Sequence, residues 1–265
     1  MTVAQVTSHR SPQRCTVLGI GIHDVTEDEA VQLVDRFVQE GIPRQIVTVN
    51  PEFVMLARRD DAFRQTLAQA DLAVPDGVGI VWAGRILGHP FRGRVTGVEL
   101  TRRLAGLAAR RGYRLYLLGA APGVAEETAR RLQQECLALA IAGTYAGSPD
   151  PAEEEGIVAR IRAAAPHILL VAYGAPQQDL WLRRNLSRLG VPVGIGVGGT
   201  FDYISGRVRR APTWLRRIGL EWLYRLARQP WRWRRMLALP AFGLLVLGQA
   251  LREVGRRKRR PDDAP

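Results

Sequence analysis

Short apolar runs separated by helix-length stretches recur from residue 15 to about residue 200. "CTVLGIGI" (15–22), "RQIVTV" (44–49), "LAV" (72–74), "YRLYLLG" (113–119), "HILLVAYG" (167–174) and "VPVGIGVGG" (191–199) read as strands. Thr26 and Glu29 form a capping box for a helix running through Phe37 and Val38. Asn50-Pro51 supplies an N-cap and a first-turn proline for "PEFVMLARR". "AAPGVAEETARRLQQEC" and "APQQDLWLRRNLSRLG" are the helices that follow two of the later strands. Runs such as "ILLVAY" are apolar without alternation, as in strands buried on both faces. The alternation predicts an α/β fold: a mainly parallel, Rossmann-like sheet with helices on both faces.

The pattern changes near Arg207. "APTWLRRIGLEWLYRLARQPWRWRRMLALPAFGLLVLGQALREVGRRKRR" reads as two or three helices, broken near Pro230 and Pro240. The expected organisation is a frayed N-terminus over 1–14, an α/β body over 15–206 and a helical appendage over 207–265. The polar start of the chain has no apolar core of the kind a signal peptide needs, so none is expected.

Charge sharpens that boundary. Arg207 to Arg260 holds 16 Lys+Arg against two acids, Glu221 and Glu253, and the rest of the chain is close to neutral. Four of the six tryptophans, Trp214, Trp222, Trp231 and Trp233, lie in the same segment. Such a tail is a solvated charged face, a nucleic-acid binder or a membrane-surface element. Tryptophan interleaved with arginine, beside an apolar stretch of about 16 residues over 236–251, favours an anionic membrane over nucleic acid. A span needs roughly 20 apolar residues, so that stretch falls short. Cys15 and Cys136 are too few for a disulfide framework and fit small buried thiols in a reduced, cytoplasmic protein.

The candidate chemistry gathers where the strands end. Thr48 and Asn50 close the second run, Asp76 follows the third, and Gly119 to Gly123 follow the fourth. Gly174 to Gln178 follow the fifth; Gly198, Gly199 and Asp202 follow the last. Polar groups and glycines at one edge of a parallel sheet indicate one binding crevice. Plainer readings stand beside this one. Asn50 is a helix cap, Pro75-Asp76-Gly77 is an ordinary turn, and Asp202 is a capping or turn residue. The histidines are scattered, no Cys/His cluster or Asp-x-Asp occurs, and no P-loop is present, so no metal site is expected. "GIGIHD" matches only part of a dinucleotide fingerprint.

In order along the chain stand Thr48-Val49-Asn50, Asp76-Gly77, "RVTGVEL", "LLGAAPGVAEETARRL", "GAPQQDLW", "GVGGTFDYISGRVRRAPTW" and "GLEWLYRLARQPWRWRRM". Over roughly residues 15 to 237 the chain resembles the WecG/TagA/CpsF glycosyltransferases of bacterial cell-envelope polysaccharide synthesis, glycosyltransferase family 26. The resemblance implies inverting transfer of an N-acetylhexosamine, typically N-acetylmannosamine, from UDP to undecaprenyl-diphosphate-linked N-acetylglucosamine. It implies no metal and no cofactor, and work done at the inner face of the cell membrane with a basic C-terminal appendage completing the site. Carried over, Asp76 looks like the general base. Thr48, Asn50 and Gln178 look like sugar or acceptor contacts, and Asp202 like a uracil contact. Arg94, Arg225, Arg232 and Arg235 look like ligands of the donor diphosphate or lipid phosphate. Two positions depart from the family pattern: Gln177 replaces a lysine, removing a positive charge, and Asp179 replaces a glutamate. Beyond about Leu237 the resemblance predicts nothing. On the residues alone two other classes stay open. One is a non-catalytic, membrane-recruited binder of a nucleotide or polyprenyl phosphate. The other is a Rossmann-type oxidoreductase or epimerase. The oligomeric state is open too, a homo-oligomer included.

Overall fold

A two-residue turn at Leu18-Gly19, both at positive φ (48° and 87°), folds the first apolar run back on itself. The run expected as one strand is therefore a hairpin, β1 (Arg14–Val17) and β2 (Ile20–His23), with Val17 opposite Ile20. Turns with both central residues at positive φ match the twist of paired strands. Glycine adopts such a φ freely and leucine does not, which is why Leu18 gave no turn signal. The hairpin also removes the strand–turn–helix context that a dinucleotide reading of "GIGIHD" requires. The structure, a computed structural model, describes residues 12–217, 220–228, 233 and 237–258. The expected frayed N-terminus lies mostly outside these residues, and its last member, Arg14, opens β1.

Helix α1 (Glu27–Glu40) carries the predicted capping box, with Thr26 and Glu29 exchanging side-chain-to-backbone bonds. It leads to β3 (Arg44–Val49), α2 (Pro51–Ala57), α3 (Asp61–Gln69) and β4 (Leu72–Pro75). Next come α4 (Val78–Ile86), α5 (Gly97–Arg111), β5 (Arg114–Gly119), α6 (Val124–Glu135) and β6 (Ala140–Tyr145). The body closes with α7 (Pro151–Ala164), β7 (Ile168–Ala172), α8 (Gln177–Leu189), β8 (Val193–Gly196) and α9 (Thr200–Ile204). The six strands from β3 to β8 form one parallel sheet in the order β4-β3-β8-β7-β5-β6.

Side-chain alternation sends each strand into two cores. Leu115 and Leu117 of β5, with Ile168 and Leu170 of β7, face the layer of α1, α5, α6 and α9. Tyr116, Leu118, Leu169 and Val171 face α7 and α8. At the other end of the sheet Val47, Val49 and Ala73 face the hairpin, α2, α3 and α4. Both faces are buried, so the strands read as continuous apolar runs. Cys15 is buried and Cys136 half-buried, both as free thiols.

The appendage holds α10 (Thr213–Arg217), α11 (Glu221–Arg228) and α12 (Ala238–Lys258). Pro240 does not break a helix; it sits in the first turn of α12, where an N–H has no intrahelical partner to lose. Pro230 lies outside the described residues. Helix α12 packs on α2 and α4, burying Phe242 and Val246 in the core that the hairpin shares. Gln249 fastens it there, accepting from the Leu18 amide at 2.9 Å and donating to the Thr16 carbonyl at 3.3 Å. Among the described residues no helix is long and apolar enough to cross a membrane.

Candidate active site

The register of β3 and β4 pairs Val49 with Pro75, so Asn50 and Asp76 emerge side by side although 26 positions apart. The Asp76 amide donates to the Val49 carbonyl at 2.8 Å and continues the ladder into the turn. Asn50 caps α2, accepting from the Phe53 amide at 3.1 Å through its oxygen. Gly77 follows at φ 86° and opens α4. The turn is close-packed behind Asp76: a Cβ on Gly79 would stand 2.7 Å from Pro51 Cγ. Turn and cap therefore hold the carboxyl and the amide together at the sheet edge.

These residues line a cavity of about 610 Å³ at the carboxyl ends of β3, β4 and β8. Thr48, Asn50, Asp76, Arg94, Gln178 and Gly199 are all in its wall. Thr48 is buried and donates to the Gly196 carbonyl at 3.2 Å. Gln178 is fully buried, and its Oε1 accepts from the Gly174 amide at 3.2 Å and the Gly198 amide at 2.9 Å. It thereby clamps the loops after β7 and β8, and its Nε2 has no hydrogen-bond partner. Gly119, Gly174 and Asp202 stand outside the wall. Gly119 is a packing position, since a Cβ would lie 2.8 Å from the Ala172 carbonyl carbon. Gly174 serves the Gln178 clamp, and Asp202 accepts from Val208 through its backbone carbonyl. The departure at Gln177 is exposed and outside the wall; Asp179, beside it, is fully buried. Arg232 and Arg235, and the side chain of Arg225, lie outside the described residues.

Asp76, half-buried in the cavity wall, is with Asp179 one of two carboxyls among the described residues raised to near neutrality. Removal from water pushes its carboxyl up to about 7; Arg94 opposes this, Glu221 and Glu99 add to it, and Arg210 opposes it. Three of these groups form an ion cluster that residue spacing gave no hint of. Arg210 binds both oxygens of Glu99, at 2.5 and 2.9 Å, and reaches Glu221 through Nε at 3.0 Å. Glu99 belongs to α5 of the body and Glu221 to α11 of the appendage, so the cluster joins the two across the cavity rim. Among the described residues no group of three His, Cys, Asp or Glu side chains converges as a metal site would.

An open parallel α/β sheet with a cavity at its strand ends, lined by a carboxyl and an arginine, is the arrangement in which α/β enzymes bind their ligands. A family model described as "Glycosyl transferase WecG/TagA/CpsF family" matches residues 15–256. The chain belongs to that family and is a glycosyltransferase. The match runs past Leu237 through most of α12, correcting the expectation that the family pattern stops there. Among similar proteins is the N-acetylglucosaminyldiphosphoundecaprenol N-acetyl-beta-D-mannosaminyltransferase of Bacillus subtilis (strain 168). It is 34% identical over 216 residues, covering 81% of this chain and 83% of that protein. The protein of the same name from Bacillus spizizenii is 36% identical over 202 residues, 76% of this chain and 78% of the relative. That from Staphylococcus aureus (strain MW2) is 29% identical over 255 residues, 96% and 99% of the two chains.

Proposed function

We propose that this glycosyltransferase moves N-acetylmannosamine from UDP to a hydroxyl of undecaprenyl-diphosphate-linked N-acetylglucosamine, with inversion, in cell-envelope polysaccharide synthesis of the teichoic-acid type. Three relatives bear the name of that transfer, and the family match covers body and appendage alike. The observation that carries the mechanism is the Asp76 carboxyl, held in the cavity wall beside Arg94 with its proton affinity raised to about 7.

The acceptor hydroxyl attacks the anomeric carbon from the face opposite UDP. A carbon–oxygen bond forms there as the bond to the UDP oxygen breaks, and Asp76 takes the hydroxyl proton. A base with an affinity near the working pH combines adequate ionisation with adequate strength. Negative charge grows on the departing diphosphate, where arginine suits by its planar, bidentate fork. Arg94 supplies one such group, and Arg225, Arg232 and Arg235 are the proposed others. Thr48, Asn50 and Gln178 hold the sugars, and Gly199, a loop glycine in the wall, lets backbone approach the nucleotide.

The proposed setting is peripheral, on the inner face of the cell membrane. The appendage carries the chain's basic excess, and Trp214 and Trp233 are more than half exposed there. Clustered arginine is drawn to anionic lipid by about 1 kcal/mol each. The test is a panel of UDP-sugars offered to purified full-length enzyme with polyprenyl-diphosphate-N-acetylglucosamine, with and without EDTA. Transfer from UDP-N-acetylmannosamine above all others, insensitive to EDTA, is expected. Transfer from a different donor refutes the assigned sugar, and UDP binding with no transfer from any donor favours a non-catalytic binder.

A further inference from the structure

The cavity changes character along α4. Asp76 lies one residue before the Gly77 cap of that helix, and Trp82, Ala83 and Ile86 continue the wall along its length of about 13 Å. Leu239, Phe242 and Val246 of α12, which packs on α4, extend this stretch into a largely apolar channel wall. Thr48, Asn50, Asp76 and Gln178 lie at the strand termini, while Glu52, Arg210 and Glu221 also line the cavity away from them. The ligand such a shape fits has a polar, charged head and a hydrocarbon tail.

Two observations say which tail. Trp82 and Ile86 are 58% and 45% exposed although they line the channel, so the apolar wall runs out to the surface. On the outward side of α12, Leu244, Leu247 and Leu251 repeat at helical spacing and are 72%, 49% and 75% exposed. A small apolar metabolite needs no such continuation; a chain anchored in a bilayer does. The second observation is Gly243. It lies in the apolar channel wall, and a Cβ built on it meets nothing within 4 Å. A glycine inside a helix is destabilising relative to alanine. No close packing explains this one. What it leaves is room.

We infer that the channel between α4 and α12, floored at Gly243, seats the first isoprene units of the polyprenyl chain of a lipid-linked acceptor. Its sugar and diphosphate then lie inward at Asp76 and Arg94, while the rest of the chain passes Trp82 and Ile86 into the membrane. This rests on the acceptor class proposed above, but the seat is testable without transfer.

The probes are geranylgeranyl diphosphate and inorganic diphosphate, which share a charge and differ in the tail. Binding to full-length protein is followed by titration calorimetry. Wild type is expected to prefer the prenylated probe, and Gly243→Leu to lose roughly tenfold in affinity for it, about the burial of two methylenes. Gly248→Leu is the control. Gly248 is on the same helix, also has open space at its Cβ, and is outside the cavity. It should keep the preference. Thermal melts of both variants check that the helix remains docked. No preference for the prenylated probe in wild type, or equal prenyl binding by Gly243→Leu and Gly248→Leu, overturns the seat. Absence of sugar transfer by an enzyme that shows the preference overturns the proposed reaction and leaves the seat standing.

Discussion

Arg210 grips Glu99 with both terminal nitrogens, at 2.5 and 2.9 Å, across 111 positions of sequence. With Nε on Glu221 at 3.0 Å, one guanidinium at the start of the appendage ties α5 of the body to α11. All three groups bear on Asp76: the two carboxylates raise its proton affinity and Arg210 lowers it.

Opposite substitutions in this cluster should therefore move the pH profile in opposite directions. Glu221→Gln removes a negative neighbour and should shift the acid limb of kcat/KM to lower pH. Arg210→Met removes the cation and should shift it to higher pH. The latter also strands two carboxylates in a half-buried place. It should destabilise the protein by about 2 kcal/mol, between the values for exposed and buried pairs. A bracing role alone would leave both limbs where they are in wild type.

Asp179 makes a second pH prediction. It is fully buried, neither of its oxygens has a hydrogen-bond partner, and loss of hydration pushes its carboxyl up to about 7, offset in part by the nearby Gln178 amide. From about pH 4 to 7 the folded protein keeps a proton that the unfolded chain has released. Stability contributed at low pH is thus lost as pH rises through this window. Asp179→Asn should flatten that slope in thermal melts recorded across it. An identical slope in variant and wild type would mean that Asp179 is ionised when folded.

The outward leucines of α12 should govern membrane association. Replacing Leu244, Leu247 and Leu251 with glutamine touches only exposed positions and should leave melting nearly unchanged. Sedimentation with anionic vesicles should fall sharply. Undiminished sedimentation would assign membrane contact to the basic residues alone.

Local signals made much of this architecture legible. The Thr26–Glu29 box and the Asn50-Pro51 cap are settled within a few residues of chain, and both are present as read. Strand ends could be found the same way, which brought Thr48, Asn50, Asp76 and Gln178 into view together. The hairpin was hidden because Leu18, an apolar residue, occupies a turn position held open by Gly19. Strand β6 was not read because "AIAGTY" is a half-exposed edge strand with no long apolar run. Pro240 looked like a break because a helix start and a helix stop place proline alike; the docking of Phe242 and Val246 decides between them. The Glu99–Arg210–Glu221 cluster is a product of tertiary folding alone, and no spacing announces it.

The most direct measurement is transfer of N-acetylmannosamine to polyprenyl-diphosphate-N-acetylglucosamine by wild type and Asp76→Asn across pH, with UDP affinity measured on the same samples. Wild-type kcat/KM should rise with pH and reach half its plateau near 7, where burial sets the Asp76 carboxyl. Asp76→Asn should keep its UDP affinity and lose roughly 10²–10⁴ in rate, the worth of a positioned base. A variant that transfers at the wild-type rate with the wild-type profile would contradict the assignment of Asp76 as the base.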